Sequence, residues 1–494
     1  MTTFSQGLWD SLMQGAPLIW PQILLVIVAT LMLWPGDLFF AKGEKHKWAP
    51  IAFLALLLSG VLIFLGKPGE GFSGMYRVDG LARGFQAIVI LSALAAVALS
   101  QRALNALREQ TVEYYSLILF ATAGMLFLCG ATDIVSVYFS LELMALCFYI
   151  LVGYFRTQNR GVEAGMKYYL LGAFSSAIFI YGVSLLFMAT GGLVTNLAEL
   201  GQKLPLVEQG NSLLVFGGVL FILVGMCFKV AAAPFHQWSP DVYDGAPTPI
   251  TAFMSTAPKA AALAAFLRIF GTAFHNLQGD WSLPLQFVAA ASMILGNVAA
   301  IRQQSMKRML AYSGIAHAGY MLMGVISSNL ASDSPLGDPA TQAVWLYALI
   351  YLFMSTGAFA IVIHIQKGGQ GERIDDLRGL GKKRPGLAFA MLIFMFSMAG
   401  IPPLAGFFTK FYLFNIAVQN GLIGLVVIAV LTSAVSAFYY LWVIRQMYFH
   451  EGGAEVEAPG TATSMIVTMA CAVTLLATCF GPMLLEWAGR IGWI

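Results

Sequence analysis

The sequence predicts an all-α membrane protein of about fourteen transmembrane helices, and three observations carry that prediction. Hydrophobic residues make up 59% of the 494-residue chain and charged residues only 10%, against roughly 25% charged in a soluble domain. Apolar stretches of about 20 residues, the length that crosses a bilayer, recur from end to end. Two of those stretches are interrupted by clustered glycine and proline, the mark of broken helices in transport folds.

Taken in order, the spans fall at 17–40, 49–65, 80–100, 114–131, 132–154, 163–189, 212–246, 248–271, 284–303, 307–327, 341–366, 385–418, 421–447 and 463–488, here spans 1 to 14. Thirteen and fifteen are the neighbouring counts. The opening MTTFSQGLWDSLMQGA lacks the basic region of a signal peptide, so the first apolar run is read as a retained helix. Span 7 runs into KVAAAPFHQWSPDVYDGAPTP, with Pro234, Pro240, Pro247 and Pro249 among small residues. Span 12 contains SMAGIPPLAGFFTKF, where Gly400, Pro402, Pro403 and Gly406 cannot continue a regular helix. Irregular backbone survives in a membrane only where protein or a wet cavity satisfies it.

The interruptions lie five spans apart. That spacing predicts two inverted five-helix repeats, spans 4–8 and 9–13, and a division into 1–113, 114–271, 272–447 and 448–494. The loops test the count. With the N-terminus outside, most of the 27 lysines and arginines fall in loops on the inner side, including Lys42, Lys45, Lys47, Arg102, Arg108, Arg156, Arg160 and Arg302. Lys67, Arg77, Arg83, Lys203, Arg268 and Arg490 are assigned to outer loops and ends. This asymmetry predicts both termini outside. The charged run KGGQGERIDDLRGLGKKR (367–384) reads as a solvated topology determinant, and Lys307 and Arg308 as surface anchors.

Five charges lie where lipid-embedded helices should carry none: Glu142, Lys167, Lys229, Lys259 and Lys410. A charge at the bilayer centre costs at least about 2.5–3.5 kcal/mol, so such residues pair with one another or line a wet path. A chain that keeps several of them is expected to move ions or protons. The five cysteines sit in apolar runs without CxxC or Cys/His spacing and read as small core residues. No haem, iron–sulfur or zinc ligand pattern and no nucleotide-binding loop stands out, so redox cofactors are expected in partners.

EAGMKYYLLGAFSSAIFIYG, FKVAAAPFHQWSPDVYDGAPTPITAFMSTAPKAA, QQSMKRMLAYSGIAHAGYMLMG and SMAGIPPLAGFFTKFY resemble the proton-translocating, antiporter-like membrane subunits of respiratory complex I over nearly the whole chain. Within that family, lysine at 410, where a sister subunit has glutamate, and an end at Ile494, without the long lateral helix of another, favour the branch homologous to mitochondrial subunit 2. The resemblance implies a place in a bacterial inner membrane beside an adjacent antiporter-like subunit and small membrane subunits. It also implies that NADH, FMN, iron–sulfur clusters and quinone are held by partner subunits and none by this chain. The rival readings are a subunit of a multi-subunit cation/proton antiporter and a structural scaffold with relic charges.

Glu142 is expected to pair with a buried lysine, and the resemblance matches it to the family's helix-5 glutamate. Burial disfavours an ammonium and a nearby carboxylate restores it, so a Glu142–Lys229 pair that opens and closes would switch a lysine's proton affinity. Lys259 would receive protons from the cytoplasm and Lys410 would release them. His317, in AYSGIAHAGYM near Tyr312 and Ser313, is either a relay between them or a hydrogen-bonded core histidine. Lys167 is either a translocation residue or the partner of Glu163 four residues earlier. His236 is a weaker relay candidate; His46, His275, His364 and His450 read as loop or helix-end residues. Asp241, Tyr243 and Asp244 read as helix caps or a proton intake. The buried groups on spans 5, 7, 8, 10 and 12 are expected to form one row near the bilayer midplane.

Overall fold

A computed structural model describes residues 13–490 except 14, 35–47, 108–111, 193, 329–337, 367–370, 455, 457 and 458, and leaves the side chains of 102, 103, 105–107, 209 and 478–490 undescribed. Within these bounds every expected span is a helix. In order they are Trp20–Leu33, Trp48–Leu65, Gly80–Leu107, Val112–Gly130, Ile134–Val152, Asn159–Ala189, then Leu197–Lys229 with Trp238–Gly245 as the broken span 7. Thr248–Arg268, Gln278–Ala300, Met306–Ser327 and Pro339–Ile365 follow, then Pro385–Ala399 with Ala405–Gln419 as the broken span 12, Ile423–Phe449 and Thr461–Arg490. Twelve are long and apolar enough to cross a membrane among the described residues; span 12 is two shorter helices, of which Pro385–Ala399 is apolar, and the apolar part of span 14 is Thr461–Ala477.

Helix starts follow local chemistry. Asp133 accepts hydrogen bonds from the amides of Val135 and Ser136 at the start of span 5, Ser305 caps span 10, and Asp338 caps span 11. Span 1 is shorter than expected within the described residues, ending at Leu33. Span 7 is longer. A polar helix from Leu197, capped by the Asn196 side chain, precedes the apolar part and joins it across the non-helical Asn211. Its Glu199, Lys203 and Glu208 gave no membrane signal, and hydrophobicity alone left it as a loop.

Loops that alternate in sequence gather at opposite ends of the bundle. At one end a hairpin of β1 (Gly69–Gly71) and β2 (Tyr76–Val78) meets the 131–133 turn through the Tyr76–Ala131 bridge. Asn196 donates to the Gly74 carbonyl there and Asp133 bridges to Asn196. At the other end Ser305 bridges to Arg373, and 376–384 packs on 450–456. An odd miscount of spans would have put these partners at opposite ends. The 371–384 segment is therefore a docked element, not a solvated loop. Lys382 pairs with Glu451 at 2.5 Å, Lys383 donates to the carbonyls of Gly452, Gly453 and Ala454, and Arg384 donates to Val456 O. Lys42, Lys45, His46, Lys47, Arg108 and Lys367 lie outside the described residues.

The packing repeats with the interruption. Span 4 lies on 5 as span 9 lies on 10, span 6 holds both halves of 7 as span 11 holds both halves of 12, and span 4 meets 8 as span 9 meets 13. Span 8 is buried along its whole length and spans 10 and 11 nearly so. Span 6, by contrast, turns Leu170 and Phe174 outward, and span 13 does the same with Leu431 and Phe438.

Candidate proton-translocation site

The breaks set the positions of the charged groups. In span 7 the helix ends at Lys229, and the chain then passes through Ala231 at φ 58°. The Ala233 amide is taken up by Ser292 Oγ at 2.8 Å, while the Phe228 carbonyl accepts both from the Ala231 amide at 3.0 Å and from Trp238 Nε1 at 3.1 Å. Lys229 Nζ lies 3.9 Å from Glu142 Oε1, the lysine side chain almost fully buried and the glutamate 23% exposed. The Ser176 hydroxyl on span 6 also donates to Glu142. Glu142 and Lys229 thus form the expected pair, held at the edge of direct contact.

Lys259, near the middle of span 8, is buried. Its ammonium donates to the Gly314 carbonyl of span 10 at 2.8 Å and lies 5.8 Å from the centre of the Tyr351 ring. One turn on, His317 Nδ1 is 2.8 Å from the Tyr347 hydroxyl and Nε2 is 3.3 Å from that of Tyr440, which itself bonds Ser313 at 2.5 Å. The imidazole therefore has a hydroxyl on each nitrogen, and the His317 ring centre is 4.9 Å from that of Tyr351.

Beyond it, Lys410 Nζ lies 5.1 Å from the centre of the Tyr320 ring. Gly400 (φ 85°) ends the first half of span 12 and leaves carbonyls unpaired. Lys410 donates to two of them, Met398 at 2.8 Å and Ala399 at 3.3 Å, and to Ser433 Oγ at 2.9 Å. An ammonium at the negative end of a helix is favourably placed. The halves cross closely at Gly406, where an added Cβ would stand 1.9 Å from the Ser397 carbonyl oxygen.

Lys259, His317 and Lys410 thus lie along one buried track of hydroxyls and aromatic rings. Tyr320, Tyr347, Tyr351 and Tyr440 were missed in the sequence. The available signal was Tyr347 and Tyr351 at i, i+4 on span 11 and Tyr320 three residues after His317. Tyrosines in apolar helices are too common to single out without a partner in view.

Other expectations need correction. Of the two readings of Lys167, the structure shows the pair with Glu163, at 2.8 Å, and adds one with Asp241 at 2.9 Å, the lysine side chain being 43% exposed. Asp241 is no helix cap but the centre of an ion cluster, also accepting from Arg308 at 2.8 Å, and Asp244 accepts from Ser305 at 2.7 Å. Lys307, expected at the surface, is buried, donates to Ala246 O at 3.2 Å and lies 3.5 Å from Glu372. Arg83 and Arg268 lie at helix ends, within the outer ends and loops expected for them, but are buried there. Hydrophobicity ranks depth by composition and cannot see that a neighbouring helix covers a basic side chain. His364 is also buried, whereas His236 is half-buried. No group of three or more His, Cys, Asp or Glu side chains able to hold a metal occurs among the described residues.

Fourteen helices with two matched breaks and lysines at both define an antiporter-like membrane subunit. Residues 131–436 match the family model described as NADH:quinone oxidoreductase/Mrp antiporter, transmembrane. The chain is 40% identical to NADH-quinone oxidoreductase subunit N of Trichlorobacter lovleyi, covering 95% of each chain. It is 43% identical to subunit N 2 of Solibacter usitatus, covering 93% of this chain and 92% of the relative. Among solved structures, a chain of respiratory complex I from Thermus thermophilus superposes with TM-score 0.79 at 33% identity, covering 94% of this chain and 98% of that one. A chain of the Mrp complex of Dietzia shares the fold at 20% identity and TM-score 0.80, with 97% of each covered. The chain belongs to the subunit N family of NADH-quinone oxidoreductases. It is a multi-pass, proton-translocating membrane subunit of that complex.

Proposed function

We propose that protons reach Lys259 from the end of the bundle carrying the basic loops, pass by His317 and its flanking tyrosines to Lys410, and leave on the opposite side. The observation that carries this is the buried track itself, in which His317 sits between the two lysines with a hydroxyl on each ring nitrogen. An imidazole that can accept on one nitrogen and donate from the other passes a proton without leaving its place. The Glu142–Lys229 pair acts as the gate. When it opens, the unpaired Lys229 ammonium repels charge on Lys259; when it closes, Glu142 neutralises it.

The driving energy comes from quinone reduction elsewhere in the complex. This chain holds no redox centre, and NADH, FMN, iron–sulfur clusters and quinone reside in partner subunits. Its neighbours are an adjacent antiporter-like subunit, small membrane subunits and lipid, with no nucleic acid, in a bacterial inner membrane with both termini periplasmic. Lys167 serves the path indirectly, holding the short post-break helix Trp238–Gly245 through Asp241. The test is NADH oxidation and proton uptake measured together in sealed vesicles carrying His317→Ala. The expected result is an assembled complex with a reduced proton yield. An unchanged yield would overturn the path.

A further inference from the structure

Span 3 and Asp79, the residue before it, lie outside the matched family segment, yet they make two polar contacts to span 8, the helix that carries Lys259, one part-buried and one buried. At one end Arg268 Nη1 and Nη2 donate to the two oxygens of Asp79, each at 2.9 Å, and Nη2 also reaches the Cys129 carbonyl at 3.4 Å. At the other, the hydroxyls of Ser92 and Thr256 are 2.5 Å apart. Thr256 and Arg268 are separated along the helix by about 18 Å at ~1.5 Å per residue. Lys259 lies between these contacts, one turn from the inner one.

The surroundings make the outer contact rigid. Tyr76 of the hairpin is buried against span 4, where its ring would clash with any Cβ at Gly130. Its hydroxyl accepts from Gln22 of span 1 at 2.5 Å and Gln86 of span 3 at 2.9 Å. Gln86 donates in turn to the Leu126 carbonyl at 3.0 Å. A two-pronged guanidinium–carboxylate contact fixes both the height and the rotation of the helix that carries it. Buried ion pairs add little net stability, and their best-attested use is setting register. Register matters here because Lys259 meets Gly314 in a gap with no spare room: a Cβ at 314 would stand 2.6 Å from Nζ.

We propose that Asp79 and Arg268 are positioning residues for proton transfer. The three-helix N-terminal unit is a register clamp that holds Lys259 at the height where its ammonium meets span 10. The proposal rests on the reading of Lys259 as a proton carrier. A slip of one turn, about 5.4 Å, would carry Nζ away from the Gly314 carbonyl.

The test uses the whole complex in proteoliposomes, with every rate normalised to assembled complex. Asp79→Leu with Arg268→Met replaces the pair by apolar side chains. Its proton yield per NADH is expected to fall between roughly tenfold and a hundredfold, since a misplacement of about 1 Å can cost 10²-fold. The pH profile of coupled turnover should change as well, and the reversed pair, Asp79→Arg with Arg268→Asp, should restore both. If the apolar double variant does not assemble, Arg268→Lys, which keeps the charge but loses the fork, carries the same expectation. Lys259→Ala serves as reference. A normal proton yield in Lys259→Ala would overturn the path. A normal yield and pH profile in the clamp variants, beside a silent Lys259→Ala, would overturn the clamp alone.

Discussion

The gate reading makes a quantitative demand on Glu142 and Lys229. At their separation of 3.9 Å two unit charges interact by about 1 kcal/mol in bulk water and about 4 kcal/mol at an effective dielectric of 20. Lys229 is almost sealed off and Glu142 is partly exposed, so the coupling belongs between these limits, roughly 5-fold to 10³-fold in an equilibrium constant. Glu142→Gln and Lys229→Ala should each lower proton yield per NADH within that range while leaving the subunit in the membrane. The double variant should lose no more than the worse single, because one broken pair cannot be broken twice. Ser176→Ala, which removes the hydroxyl bound to Glu142, should give a smaller loss. The assay is NADH-driven proton uptake in proteoliposomes, compared across the four members of the cycle. Losses that multiply in the double variant would show that the two residues act separately, and the gate would have to be abandoned.

Gly314→Ala should assemble yet pump poorly: its methyl would stand 2.6 Å from Lys259 Nζ and 2.9 Å from the Tyr351 hydroxyl, displacing the lysine's flexible end rather than the backbone. A normal proton yield in that variant would show that the Lys259–Gly314 contact is dispensable. Tyr440→Phe removes one hydroxyl from His317 and breaks the Ser313–Tyr440 bond; vesicle pumping should fall, by less than in His317→Ala. Gly406→Ala forces a Cβ to 1.9 Å from the Ser397 carbonyl oxygen, so the subunit should be missing from complexes resolved by native electrophoresis. Asp241 accepts from both Lys167 and Arg308, so Asp241→Asn should lower the thermal stability of the purified complex at neutral pH; an unchanged melting temperature would show that the cluster is dispensable.

What the sequence determined by itself was whatever depends on neighbours along the chain. Span length, the glycine–proline breaks and the deep placement of Glu142, Lys229, Lys259 and Lys410 could all be read, because a bilayer imposes one length and one penalty for charge on every helix. Only the tertiary structure decided what faces what. It gave Lys167 a second partner in Asp241, buried Lys307, and folded the basic 371–384 segment onto 450–456. It set Tyr347 and Tyr440 on the two nitrogens of His317 from residues 30 and 123 positions away. It joined Asp79 to Arg268 across 189 positions. Helices in a membrane are apolar on nearly every face, so periodicity does not say which side meets a partner. That choice is made by packing between spans, and packing places the few polar atoms together.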